Sequence, residues 1–124
     1  MKPPRRGEVW LASLDKVRPV IVLTRDPVGG FLNAVIGAPV TTMVRGLTTE
    51  VAVGRPDGVL LPSVVNLDQV QLVARSRLVR RVGRARPETM AAVCDALAIA
   101  VGCDQAVRTA DVGGVGRPGR RPPG

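Results

Sequence analysis

At 124 residues the chain has room for one domain, and 45% hydrophobic residues are enough to bury a core. That core must be aliphatic, since Trp10 and Phe31 are the only aromatic residues, and a domain this small gains from dimerising. A net charge of +8, carried by arginine except at Lys2 and Lys16, favours nucleic acid or another polyanion as partner. The absence of His and Tyr excludes imidazole and phenol chemistry.

Residues 1–6 form a basic arm, and Glu8 to Leu14 read as a first strand opened by Gly7. A turn at Asp15–Lys16 leads to Arg18, which Pro19 biases towards an extended conformation. Val20 to Leu23 are aliphatic without alternation, as in a strand buried on both faces, so Arg18 stands at the rim of a rigid sheet. Gly29–Gly30 breaks the sheet, Leu32 to Ala38 form a third strand stopped by Pro39, and Thr41 to Gly46 a polar loop. Thr48 to Val53 give a fourth strand, closed by the turn Gly54–Arg55–Pro56–Asp57–Gly58. Ser63 to Leu67, Val70 to Val73 and Arg77 to Val82 add three short extended segments.

After Pro87 the period changes. Met90, Val93, Cys94, Leu97, Ala98 and Val101 recur at helical spacing up to Gly102, with Cys94 read as a small core residue. Short strands followed by one amphipathic helix imply a mainly β fold, an SH3-like curved barrel of about five to seven strands with helical cover. The domain spans residues 7–104, and the Gly/Pro/Arg-rich stretch 105–124 is expected to be disordered. Cys94 and Cys103 on one helix would stand about 13 Å apart, too far to bridge. No signal peptide or membrane-length span is visible, so a reduced, cytoplasmic protein is expected.

Without His there is no Ser-His-Asp triad, two cysteines so placed make no zinc site, and no phosphate-cradling glycine loop is present. RNA cleavage by its own 2′-OH tolerates so sparse a kit, because the substrate supplies the nucleophile. No cofactor is then required. Arg18 would neutralise charge building on phosphorus and is available as an acid. Thr41 would hold a non-bridging oxygen or the 2′-OH, and Asp15 would orient Arg18 or take the 2′-OH proton. Equally, Arg18 caps a strand end and pairs with Asp15, and the Thr41 hydroxyl bonds its local backbone.

Arg6 to Trp10, Val17–Arg18–Pro19–Val20–Ile21–Val22 and Ala38–Pro39–Val40–Thr41–Thr42 stand in a familiar order. Ser63–Val64–Val65–Asn66–Leu67–Asp68–Gln69, Arg77–Leu78 and Arg80–Arg81–Val82–Gly83 follow. In these pieces residues 7 to about 103 resemble the MazF/PemK family of toxin endoribonucleases, and Leu14 to Pro19 with Thr42 to Leu47 look like its actinobacterial branch. The resemblance implies a homodimeric barrel that cuts single-stranded RNA (mRNA, rRNA or tRNA) at a short sequence, without metal. The products would be a 2′,3′-cyclic phosphate and a 5′-OH, and a MazE-like antitoxin would neutralise the protein. It puts the family's active-site arginine on Arg18 and its threonine on Thr41, with Asp15 assisting. Gln69 and Asp68 are read as structural or dimer-side contacts first and RNA contacts second. The loop Asp15–Lys16–Val17 is shorter than in many relatives, which leaves the groove open.

Arg25 and Arg45, at the exits of strands two and three, are phosphate-binding candidates, and Thr42 joins Gln69 as a further RNA contact. At least half of the arginines among Arg75, Arg77, Arg80, Arg81, Arg84 and Arg86 are expected on a merely solvated face. Two other function classes fit the same barrel. One is a non-enzymatic, gyrase-binding CcdB-like toxin, which the helix ending without a Trp argues against. The other is a degenerate module that binds only RNA or antitoxin, against which the presence of both Arg18 and Thr41 argues.

Overall fold

The computed structural model describes residues 2–26 and 33–103; the Gly29–Gly30 break and the 105–124 tail lie outside the described residues. β1 (Glu8–Ser13) and β2 (Val17–Val22) form an antiparallel hairpin across the turn 14–16. β3 (Ala34–Thr41), β4 (Glu50–Val53), β5 (Ser63–Asn66), β6 (Gln71–Ala74) and β7 (Leu78–Arg84) follow, and α1 (Pro87–Ala100) ends the order. The sheet has seven strands in the order β4-β5-β3-β2-β1-β7, with β6 also on β3. It is mainly antiparallel β with one C-terminal helix, and its ladder is open rather than closed.

β3 does not stop at Pro39, as the sequence suggested, but runs through it to Thr41. One edge of β3 lies on β2, with Val20 opposite Pro39. The other edge pairs with β6 over Ala34–Gly37 and then with β5 over Val40–Thr41. Pro39 sits where β3 changes partners on that edge, so its missing N–H interrupts no ladder. The same switch of partner bends the sheet.

The alternation of β1 and β2 feeds two cores. Val9, Ile21 and Leu23 join Val40, Val65, Leu67, Val93 and Ala96 on the helix side. Trp10, Ala12, Val20 and Val22 point the other way, to Val35, Val73 and Leu78. Trp10 is buried, and its indole N–H donates to Glu8 Oε1. Glu8 Oε2 accepts from Arg81, tying β1 to β7. The open sheet is drawn together at Gly58 and Gly83. Gly58 holds φ +85°, and a Cβ on it would lie 2.5 Å from Gly83 Cα. The turn after β4 thereby abuts β7.

Pro87 occupies the first turn of α1, where no N–H is needed. Gly102, at φ +79°, ends it. Thr89, Val93 and Ala96 are buried, with Met90, Leu97 and Ala100 beside them. Cys94 and Val101 are exposed, contrary to the sequence pattern. An Ala-rich helix offers several faces of similar hydrophobicity, and a polar contact chooses between them. The Thr89 hydroxyl donates to Asp57 Oδ1 at 2.8 Å, which sets the rotation of the helix. Asp57 is fully buried and also accepts from the Arg86 backbone N–H and guanidinium. Burial would raise its pKa; these donors outweigh it and hold the carboxyl below the ordinary range.

Candidate active site

A cleft of about 510 Å³ opens at the entry of β2 and the exit of β3. Asp15, Lys16, Arg18 and Arg45 charge it, Thr41, Asn66, Gln69 and Gln71 give it neutral polar groups, and Leu14, Pro39 and Met43 fill between. Antiparallel pairing explains the convergence. Val20 opposes Pro39 at the last pair of the β2–β3 ladder, and Arg18 and Thr41, each two residues beyond on its own strand, lie at that same end of the sheet. The face that is core at Val20 and Val22 becomes open cleft at Arg18.

The Arg18 guanidinium is largely shielded, at 22% side-chain exposure, and its Nη2 donates to Asp15 Oδ2 at 3.0 Å. Its Nε is out of contact with water and has no hydrogen-bond acceptor among the described residues. Such an unpaired donor costs about 1–3 kcal/mol, and, shut off from water, it lies behind the part of the guanidinium that a ligand in the cleft would meet. Desolvation works against the Asp15 charge, but the Lys16 backbone N–H and the Arg18 side chain hold its pKa below the ordinary value. A carboxylate so stabilised is a better orienting group than proton acceptor. Thr41 Oγ1 accepts from the Met43 backbone N–H at 3.1 Å, so its own hydroxyl proton is free to be donated.

Glu50, at the start of β4, organises the loop after Thr41. Its Oε1 accepts from the backbone N–H of Arg45 at 3.0 Å, Gly46 at 2.9 Å and Leu47 at 3.2 Å. Consecutive amides wrapped on one carboxylate fix the segment that carries Met43 and Arg45 to the cleft.

Of the residues singled out from sequence, Asp15, Arg18, Thr41, Arg45 and Gln69 meet in this cleft. Thr42 points away from Thr41, into a separate apolar depression with Leu11, Pro19, Leu60 and Arg80. Arg25 follows the exit of β2, roughly 23 Å of extended chain from Arg18, and does not reach the cleft. Exits of antiparallel neighbours lie at opposite ends, which is why Arg45 arrives and Arg25 does not. Asn66, Gln71 and Glu50 were not legible as site residues. A polar residue following the apolar pair Val64–Val65 was the one available signal, at Asn66. In the basic run, Arg77 binds the Ser13 carbonyl, Arg81 binds Glu8 and Arg86 binds Asp57, so these serve structure. Among the described residues no three His, Cys, Asp or Glu side chains converge as metal ligands.

The family described as "PemK-like, MazF-like toxin of type II toxin-antitoxin system" matches residues 5–101. The chain is 42% identical over 106 residues to the probable endoribonuclease MazF5 of Mycobacterium tuberculosis, covering 82% of this chain and 96% of that protein. The solved M. tuberculosis toxin MazF-mt6 is 40% identical, with a TM-score of 0.74 over 77% of this chain and 96% of that one. A mycobacterial endoribonuclease solved with its cognate antitoxin superposes with a TM-score of 0.74 at 29% identity, over 80% of this chain and 95% of that one.

Proposed function

This chain belongs to the PemK/MazF family of type II toxin–antitoxin toxins, and from that membership and its cleft we infer an endoribonuclease that cleaves single-stranded RNA without a metal ion. The single observation that carries the chemistry is the convergence, on one cleft, of an Arg18 guanidinium held by Asp15 and a Thr41 hydroxyl whose proton is undonated.

The substrate 2′-oxygen attacks the adjacent phosphorus as the P–O5′ bond breaks, leaving a 2′,3′-cyclic phosphate and a 5′-OH. The 2′-OH proton passes to solvent, and solvent returns one to the departing O5′. Arg18 neutralises the charge gathering on the non-bridging oxygens; a guanidinium holds its own proton too tightly to be the acid. Thr41 donates to one of those oxygens and fixes the phosphate in line. Asp15 keeps the Arg18 fork oriented. Arg45 and Gln69 contact the RNA on either side, while Thr42 and Arg25 would meet only flanking nucleotides.

The partner is an antitoxin of the MazE kind, a reading supported by the relative solved with its cognate antitoxin. The working form is a homodimer in the cytoplasm; no helix among the described residues is long and apolar enough to cross a membrane. A non-enzymatic toxin is not favoured, since the similar curated proteins are endoribonucleases. The test is cleavage of a long unstructured RNA in EDTA by wild type, Arg18→Ala and Thr41→Ala. Discrete cuts ending in cyclic phosphate, lost in both variants, are expected. Cuts that need added metal, or that persist in both variants, overturn the reading.

A further inference from the structure

The polar groups of the cleft are segregated by chemistry. Lys16 and Arg18 on the hairpin and Arg45 on the loop after β3 supply charge. Asn66, Gln69 and Gln71, from the end of β5 to the start of β6, supply carboxamides alone. Charge holds the phosphate backbone whatever the sequence, whereas amides match the donor and acceptor patterns on base edges.

We propose that Asn66 and Gln71 read a base of the RNA lying in the cleft and thereby set the cleavage motif. This inference rests on the endoribonuclease reading above. The two side chains have different free ends. Asn66 Oδ1 is occupied, accepting from the Asp68 backbone N–H at 3.0 Å and capping the turn Leu67–Gln69. Its Nδ2 has no partner among the described residues, so the group offered to the cleft is a donor. Gln71 Nε2 makes a long contact of 3.4 Å to the Gln69 carbonyl, which leaves Oε1 as an acceptor. Both are anchored by backbone, since Gln71 pairs with Gly37 of β3 and Asn66 with Glu50 of β4. A donor and an acceptor held on rigid strands across from the phosphate-binding arginine form a reading head for an unstacked base.

Asn66→Asp separates the two jobs of this residue. A carboxylate still accepts from the Asp68 N–H, so the cap survives, while the outward NH₂ becomes an oxygen. The base accepted there must then present a donor where it had presented an acceptor. Cleavage by wild type, Asn66→Asp, Asn66→Ala and Gln71→Glu is mapped by end sequencing on a randomised RNA library. A change of preferred base at one motif position is expected in Asn66→Asp, with about a tenfold shift in relative cutting. Gln71→Glu should shift the same or the neighbouring position, and the uncharged Asn66→Ala should relax preference there. A uniform loss of rate with the wild-type motif intact in all of these variants overturns the inference while leaving the endoribonuclease reading standing. No cutting by wild type overturns both.

Discussion

Arg18 reaches back three residues to Asp15, Nη2 to Oδ2 at 3.0 Å, and that contact fixes the plane of the guanidinium at the cleft wall while Nε, shut off from water, has no acceptor among the described residues. The arginine is aimed by its neighbour before any ligand arrives.

Arg18→Ala should therefore lower single-turnover cleavage by about 10²–10³, the loss typical of a transition-state charge stabiliser. Arg18→Lys should be nearly as poor, because an ammonium has no planar fork to hold Asp15 and a phosphate together. Asp15→Asn should cost less, about tenfold, the low end for an orienting partner. Single-turnover rates in EDTA rank the three variants. Equal losses in Asp15→Asn and Arg18→Ala would contradict the orienting role.

Glu50→Ala strips the acceptor from the amides of Arg45, Gly46 and Leu47. The loop should loosen, raising KM severalfold while kcat falls less, because Arg18 and Thr41 lie outside it. Faster hydrogen exchange at those amides is the accompanying signature.

Asp57→Asn turns an NH₂ towards the Arg86 donors at a fully buried site and should destabilise the fold by about 2–4 kcal/mol in urea unfolding. Asp57 and Glu8 both have lowered pKa values; for Glu8, burial opposes the shift and the Arg5 amide, Trp10 and Arg81 outweigh it. A carboxyl lowered in the folded state stabilises it above the unfolded pKa. That contribution fades as pH falls through the folded value. Stability should hold from neutral pH to about 5 and then drop below roughly pH 4. In Asp57→Asn the acid limb should be shallower, which urea midpoints from pH 7 to 3 would measure.

Gly58 and Gly46 offer a matched comparison. Both have positive φ, +85° and +75°, but a Cβ at Gly46 meets nothing within 4 Å while one at Gly58 strikes the Gly83 backbone. Gly46→Ala should cost about 1–2 kcal/mol from backbone strain alone. Gly58→Ala adds a collision between two backbones that neither can yield to, so it should cost clearly more and displace β7. Thermal unfolding of the pair separates strain from collision.

Much of this arrangement was legible in sequence because it follows from period and punctuation. The unbroken Val20–Leu23 run announced a strand buried on both faces, and Pro19 announced an extended Arg18. What escaped depended on partners far along the chain. Pro39 looks like a stop until β3 is seen to change neighbours beside it. Asp57 looks like a turn residue until Thr89 and Arg86 close over it, and the rotation of α1 hangs on that contact. Asn66 and Gln71 came to the cleft through their ladders with β4 and β3, which no local pattern records. Arg25 was misplaced because the direction of a strand, not its nearness in sequence, decides which end of it meets the site.

The cleft draws its positive charge from guanidinium groups and one lysine, with no imidazole anywhere in the chain. The side chain that ordinarily titrates in the range a living cell maintains is thus absent from the cleft. The antitoxin proposed above would restrain such an enzyme by occupying the cleft, one molecule for each cleft silenced, rather than by changing the charge of a group within it.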